Sequence, residues 1–492
     1  MLSRALLVTA KRPIRKDSGL VHWMNQVPKE ADKAANRFDN EAVHDLRVAL
    51  RRCRSMADGF RAIDPHKDWK RMRRQATALF DSFGALRDCH VITEWTQKLG
   101  QADDPITQQL LDHLRQQEAV LQQQAKNAID VFDGKQWQSW TRQLGQRVRR
   151  LPLGSHVFQV LALEKLIAAR RLEAPALKSG NDLAFHKLRI GLKKFRYVVE
   201  NFLPQLHHEW KAGLKHIQDL LGEIHDLDVV RETVLSVCAS ADAEALQRWE
   251  KAVAAERLLR IKQYSEAMVG ERSLWRVWRS ALPQGKAARE ASLKKLQAWS
   301  AFMNNDLQHN RRVSRFAVQI HDSLARHGLL KGAKNSCELL KAAAMVHEVG
   351  RFAGNKGHHK NTQRMVNKLD GIVGWTRQEV KTMASVARYH RGALPQASRL
   401  RDIPIAQRKN MTLLAGILRL ANALDDEHDG QIKRIKVSQH ANYILIQAQG
   451  LRQDSILAEK IAAGRHLLEI NCGLPVLVRP MPNRAPARRP RS

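Results

Sequence analysis

His44-Asp45-Leu46-Arg47-Val48-Ala49-Leu50-Arg51-Arg52-Cys53-Arg54 and His186-Lys187-Leu188-Arg189-Ile190-Gly191-Leu192-Lys193-Lys194-Phe195-Arg196 are two copies of one pattern. Each opens on a histidine and carries cations at the same offsets along an apolar ladder. Neither holds a proline and only Gly191 interrupts, so each reads as a helix. At about 100° per residue, His44, Arg47, Arg51 and Arg54 fall within an arc of roughly 80°. His186, Arg189, Lys193 and Arg196 fall on the same arc of their helix. Val43, Leu46, Leu50, Cys53 and Ala57 fill a neighbouring arc, as do Phe185, Leu188, Leu192, Phe195 and Val199. Each helix has one face for a core and a cationic face beside it.

Like charges one turn apart repel, at a cost of a few tenths of a kcal/mol per pair. A single basic stripe reads as a solvated face. Two stripes that match in residue type and spacing point to a bound polyanion that offsets the repulsion. Arginine offers a fork that fits phosphate oxygens, and lysine adds a point charge. His44 and His186 stay open between donors to phosphate and hydrogen-bonding residues at the edge of the stripe. The repeat continues: Trp69-Lys70 is echoed by Trp210-Lys211, and Gly84…Asp88 by Gly222…Asp226. The offset is 142 residues at the histidines, 141 at the tryptophans and 138 at the glycines. The second copy has therefore lost about one helical turn between its Trp and its Gly. A repeat of this length reads as a duplicated bundle, not a solenoid.

These paired motifs resemble the CHAD domain over roughly residues 20–280. The resemblance implies a duplicated helical bundle, over 1–282, with a central basic channel that binds inorganic polyphosphate. By matching position it lines that channel with His44, Arg47, Arg51, Arg54, His186, Arg189, Lys193 and Arg196, with Lys70 and Lys211 added as contacts. His225 stands where the first copy has Arg87. Asp88 and Asp226 read as partners of these cations, not as catalytic carboxylates.

Lys and Arg number 83 against 49 Asp and Glu, a formal charge of +34. Such an excess describes partners, not fold. Polyphosphate and nucleic acid come first, a membrane surface third. Aromatic residues are only 5% of the chain, and neither an RNP-like sheet motif nor a zinc finger occurs. Nucleic-acid binding is therefore expected only as nonspecific attraction to RNA or DNA at low salt. Cys53, Cys89, Cys238, Cys337 and Cys472 are scattered without a C-x-x-C, which argues against a disulfide framework and for a reducing compartment. The apolar run Ala5–Val8 is too short for a signal or a span, and no apolar run reaches membrane-spanning length. The expectation is a soluble, cytoplasmic protein without a membrane span; the family resemblance adds polyphosphate granules. The oligomeric state is left open.

At 492 residues the chain should hold two domains or more. Residues 106–133, free of Gly and Pro, predict a long exposed helix. The pattern breaks at Leu282-Pro283-Gln284-Gly285, so 283–294 reads as a linker. A second helical block runs from about 290 to 428. Ile432–Val437 and Tyr443–Gln447 then read as two strands, with Asn442 in the turn between them. Residues 479–492, rich in Pro and Arg, read as a disordered basic tail, above all from Asn483.

The second block carries its own constellation: His309, then His347-Glu348-Val349-Gly350, Gly357-His358-His359-Lys360, Arg388-Tyr389-His390-Arg391 and Asn422…Asp425. This order resembles an HD-type phosphohydrolase. More closely, it resembles the helical C-terminal region of the exopolyphosphatase and guanosine pentaphosphate phosphohydrolase family, over a domain of 295–478. The HD resemblance implies a divalent metal held by His309, His347, Glu348 and Asn422. Glu348 has a longer reach than the usual Asp, and Asn422 is neutral, a weak carbonyl ligand; Asp425 lies one turn later. Related exopolyphosphatases catalyse in a separate domain with a phosphate-cradling loop, which is not found here, so no catalytic residue is assigned. In them the helical region helps hold the polyphosphate chain, which makes His358, His359, Lys360, His390 and Arg391 phosphate contacts. Two readings stand side by side. One is a non-catalytic second polyphosphate module that needs no cofactor. The other is a metal-dependent phosphohydrolase of polyphosphate or phosphorylated nucleotides. The fold expected is mainly all-α: a duplicated helical bundle, then an HD-like helical domain with a small C-terminal β element.

Overall fold

A computed structural model describes residues 19–482 apart from 39, 102, 304–305, 331–334, 370–371 and 453–455. The chain is mainly all-α, as its periodicity predicts, with a small three-stranded sheet near the C-terminal end. It divides into two compact units, Met1–Ala287 and Ala288–Ser492. No helix among the described residues is long and apolar enough to cross a membrane.

The first unit holds α1 (Leu20–Arg37), α2 (Asn40–Arg61), α3 (Lys67–Ser82), α4 (Gly84–Leu99), α5 (Pro105–Asp130), α6 (Gly134–Val148), α7 (His156–Ser179), α8 (Asp182–Phe202), α9 (Pro204–Val237), α10 (Ala243–Met268) and α11 (Leu274–Ser280). The quoted stretches lie on α2 and α8. Every residue of both apolar ladders is buried, from Val43 to Ala57 and from Phe185 to Val199. Asn181 caps α8 by accepting from the Ala184 N–H at 2.8 Å, which fixes where that stripe begins.

The lost turn has a structural counterpart. In the first copy the chain breaks at Phe83, between α3 and α4. In the second copy α9 runs unbroken for 34 residues through Trp210 and Gly222. Helix α5 is not simply an exposed rod. Asp104 caps it ahead of Pro105, and Ile106, Leu110 and Leu114 join Ile92 and Trp95 of α4 and Leu227 and Val230 of α9 in one apolar cluster. Their spacing of three to four residues is the reason.

The second unit contains most of α12 (Gly285–Met303), then α13 (Leu307–Arg326), α14 (Ser336–Val346), α15 (His358–Asn367), α16 (Arg377–Arg388), α17 (Ile405–Ala423) and α18 (Ile456–Cys472). The expected linker 283–294 is therefore helical from Gly285 onward, and the division between units falls inside α12. Pro283 and Gly285, the latter at φ 48°, break the chain before this helix and leave nothing to break it afterwards.

Strands β1 (Arg434–Gln439) and β2 (Ile444–Gln449) lie close to their expected positions and pair antiparallel. A third strand, β3 (Val476–Pro480), pairs parallel to β2, with Ile444 opposite Val476. A parallel pair needs a crossover, and α18 supplies it. The tail was expected from 479, but Arg479 and Pro480 belong to β3. The remainder of that expectation, from Asn483, lies outside the described residues.

Candidate functional sites

Helices α2 and α8 are tied side by side. Arg52 donates to Asn201 Oδ1 at 3.1 Å and to Glu200 Oε1 at 2.5 Å, and Asn201 Nδ2 donates to Ser55 Oγ at 2.8 Å. Gly59 makes the crossing tight, since a Cβ there would overlap the Phe202 ring. Arg47, Arg51 and Arg54, with His186, Arg189, Lys193 and Arg196, are half-buried; His44, Lys70 and Lys211 are exposed.

The two stripes share one electrostatic field. Asp88 feels Arg47 from the first copy and Arg189 and Lys193 from the second. Lys193 feels Arg51 across the pair of helices. Burial, joined by Arg189, pushes the Lys193 ammonium down to about 7. Burial lowers Arg47 to about 10 against the pull of Asp88. Burial raises the Asp226 carboxyl to about 6 although Arg189 favours its charge. His225 falls to about 4, from burial first and then from Arg189 and His186; its ring centroid lies 5.0 Å from that of His186. Crowded cations that depress one another's charge form a surface that gains when an anion arrives. Among them Arg189 Nε is shielded from solvent and has no hydrogen-bond partner.

Two partners of the stripes were not visible in the repeat. Arg47 and Arg54 both lie over the Phe80 ring, each 4.4 Å from its centroid. Arg196 instead donates to Gln218 at 2.5 Å. At the offset of the Gly…Asp elements Gln218 is the counterpart of Phe80, so one position steadies arginine by two different chemistries.

In the second unit the histidines converge. His309 Nε2 lies 3.2 Å from His347 Nε2 and 3.2 Å from Asn422 Oδ1, and His347 Nε2 lies 3.0 Å from Asn422 Oδ1. Beside them Glu348 Oε1 is 3.3 Å from His358 Nε2 and 3.7 Å from His390 Nε2. Those two nitrogens are 3.4 Å apart. His309, His347, Glu348, His358, His390 and Asn422 are all buried.

The ring orientations have identifiable causes. Nδ1 of His347, His358 and His390 donates to the carbonyls of Ala344, Asn355 and Ala387 at 2.7, 3.1 and 2.7 Å. His309 Nδ1 donates to Asp425 Oδ2 at 2.8 Å; that carboxylate also accepts from Arg312 Nε and the Gly430 N–H. Asp306 caps α13 on the His309 N–H and accepts from His428, whose ring stacks on His309 at 3.6 Å between centroids. Thr362 Oγ1 bridges the His347 carbonyl and the Gly350 N–H. A Cβ on Gly350 would overlap the His358 carbonyl and Thr362, so glycine there lets α15 close onto the cluster. Burial pulls His347 well below the ordinary imidazole range and His390 down to about 3. These rings are neutral near pH 7, the form that binds metal.

Residues 24–235 match the CHAD domain, and residues 288–460 match Ppx/GppA phosphatase, domain III. The chain joins these two domains in tandem. Both are consistent with a polyphosphate-related function. Helices α10 and α11 lie beyond the CHAD match but within its compact unit.

The residues assigned in domain III separate by environment. His358 and His390 are buried at Glu348, His359 is half-buried, and Lys360 and Arg391 are exposed. Asp425 holds His309 through Nδ1. His428, Arg312 and Asp306 were not singled out in the sequence. The Asp425…His428 spacing, one helical turn, was the available signal.

Proposed function

We propose that the CHAD domain binds inorganic polyphosphate along the paired stripes, in a basic channel lined by Arg47, Arg51, Arg54, Arg189, Lys193 and Arg196, with His44, His186, Lys70 and Lys211 at its margins. The observation that carries this reading is the placement of Asp88 in the field of Arg47, Arg189 and Lys193 together. Cations from both copies thereby serve one ligand. A linear polyanion releases condensed counterions on binding, so affinity falls steeply with salt. The test is a salt titration of polyphosphate binding. Arg47→Ala with Arg189→Ala weakens binding far more than Arg488→Ala with Arg489→Ala and flattens the salt slope. Equal losses from both pairs leave only bulk charge and sink the channel. Easy displacement of polyphosphate by excess RNA at physiological salt would also defeat it. The fitting setting is the cytoplasm, at polyphosphate granules.

A second reading concerns domain III: a metal-dependent phosphohydrolase of polyphosphate or phosphorylated nucleotides. The convergence of His309, His347 and Asn422 within 3.2 Å favours it. Imidazole and amide oxygen beside the Glu348 carboxylate suit a transition ion that clamps phosphate and acidifies water. Phosphate release with Mn²⁺ or Mg²⁺, abolished by His347→Ala, supports this reading. No turnover with any divalent ion leaves domain III as a second polyphosphate contact, through His359, Lys360 and Arg391.

A further inference from the structure

We propose that domain III carries a separate ligand site, a cavity between α12, α13 and α14 that takes a small organic phosphate: an apolar ring bearing an N–H or O–H donor and a phosphate group. The cavity lies apart from the histidine cluster, and the proposal depends on neither reading above.

Helical geometry sets the site apart. At about 100° per residue, Leu307, Arg311, Ser314 and Val318 of α13 turn roughly 140–180° away from His309. They line a cavity of about 350 Å³, which Ser300 of α12 and Lys341 and Met345 of α14 help to enclose. That size suits a molecule as large as a mononucleotide. The wall is held in place: Ser300 Oγ and Asn310 Nδ2 both donate to the Met345 carbonyl, at 2.6 and 3.0 Å.

The charge of the cavity has one sign. Arg311, Arg315 and Lys341 line it, and no carboxylate does. Among the described residues none of the three has a carboxylate partner. Arg311 and Arg315 sit one turn apart and repel each other, which an arriving anion offsets. Arg315 Nη2 donates to the Lys433 carbonyl at 3.0 Å. That bond steadies the guanidinium and leaves its other N–H groups for phosphate oxygens.

The rest of the lining describes the ligand's body. Leu307, Val318 and Met345 form an apolar wall. Inorganic phosphate and polyphosphate have nothing to place against it, and a neutral apolar molecule would leave the cations unused. Asn310, only 5% exposed, and Gln319 also line the cavity. Asn310 Oδ1 and Gln319 Oε1 are shielded from solvent and accept from no donor. Buried acceptors are ordinarily paired, and an N–H or O–H on the ligand supplies what they lack. The thioether side chain of Met345 is flexible enough to move aside and admit it.

The test is calorimetric titration of the full chain, carrying Arg47→Ala with Arg189→Ala so that the basic stripes compete less for anions. The probes are adenosine monophosphate, cytidine monophosphate and pyridoxine phosphate, with ribose 5-phosphate and inorganic phosphate as ringless controls. At least one ring-bearing phosphate should bind about tenfold or more tighter than the controls, as burial of an apolar ring implies. Arg311→Ala with Lys341→Ala should weaken it by about tenfold or more, the effect of losing charge-assisted hydrogen bonds. Ser314→Trp, which fills the cavity, should abolish binding, and His359→Ala, at the histidine cluster, should leave it unchanged. Far-UV circular dichroism checks the fold, and the smaller insertion Val318→Phe replaces Ser314→Trp if that variant does not fold. Equal binding of ringed and ringless phosphates would put the anion on exposed charge alone. Binding that survives a filled cavity, or that falls with His359→Ala, would put the ligand elsewhere. Either result, or no binding of any ring-bearing probe, overturns the proposal and leaves the polyphosphate and metal readings as they stand.

Discussion

Arg52 reaches from one basic helix to Glu200 of the other at 2.5 Å, while the same guanidinium holds Asn201 at 3.1 Å. Arg52 lies beside the stripe arc, so its role is to fix the spacing of the two stripes and not to add one more cation. Arg52→Ala should cost about 2 kcal/mol of stability, as for loss of charge-assisted hydrogen bonds. It should also weaken polyphosphate binding while changing the salt slope less than Arg51→Ala does. Thermal unfolding and a salt titration check the two effects separately. A slope change as large as that of Arg51→Ala would make Arg52 a direct contact.

Burial sets Lys193 at about 7 and Asp226 at about 6. From about pH 8 down to about pH 6, acidification charges Lys193 and begins to neutralise Asp226, so both changes make the stripes more cationic. Polyphosphate affinity should rise over that window, by at most about tenfold per pH unit for each coupled proton. Lys193→Arg should flatten the upper limb and Asp226→Asn the lower. The free protein carries the opposite sign. Lys193 binds fewer protons folded than unfolded between about 7 and its ordinary 10.5, so its contribution to stability rises with pH across that range. Denaturant titrations at several pH values, with and without polyphosphate, check both signs.

The stripes were legible because a helix projects a linear pattern onto a face, and because the chain repeats the pattern. Leu46, Leu50, Leu188 and Phe195 are buried where that projection puts them. Phe80 was not legible, since its counterpart Gln218 steadies arginine by different chemistry. The helical turn missing from the second copy also shifts the register. His358 and His390 read as phosphate contacts, with His359, Lys360 and Arg391, because of the resemblance to a helical region that helps hold polyphosphate. Only the fold brings Glu348 between them, and the carbonyls of Asn355 and Ala387 that aim their rings leave no mark on composition. Strand β3 was missed because Val476-Leu477-Val478 is too short to show alternation.

Asp425 positions His309 and offsets the charge of Arg312, at 2.8 Å from each. Asp425→Asn keeps the shape but leaves Arg312 facing a neutral amide. Stability of the second unit should fall by about 3 kcal/mol, as for a broken buried pair. Affinity at the His309–His347 position should drop about 10- to 100-fold, the usual effect of losing the group that orients a ligand histidine. Chelator competition with Mn²⁺ measures the second effect.

Asn422 presents a neutral oxygen to His309 and His347, where a carboxylate would bind a dication more strongly. Asn422→Asp should raise Mn²⁺ affinity at that position by about tenfold or more, on the order of 1.4 kcal/mol. In the absence of metal the same change should destabilise the second unit, because a buried carboxylate then faces two imidazole lone pairs. The two effects have opposite signs and one cause. Melting curves of Asn422→Asp with chelator and with Mn²⁺ should therefore diverge more widely than those of the wild type. Curves that move together would mean that the Asn422 oxygen does not face a cation. The amide would then be turned over, donating its N–H groups to both histidines.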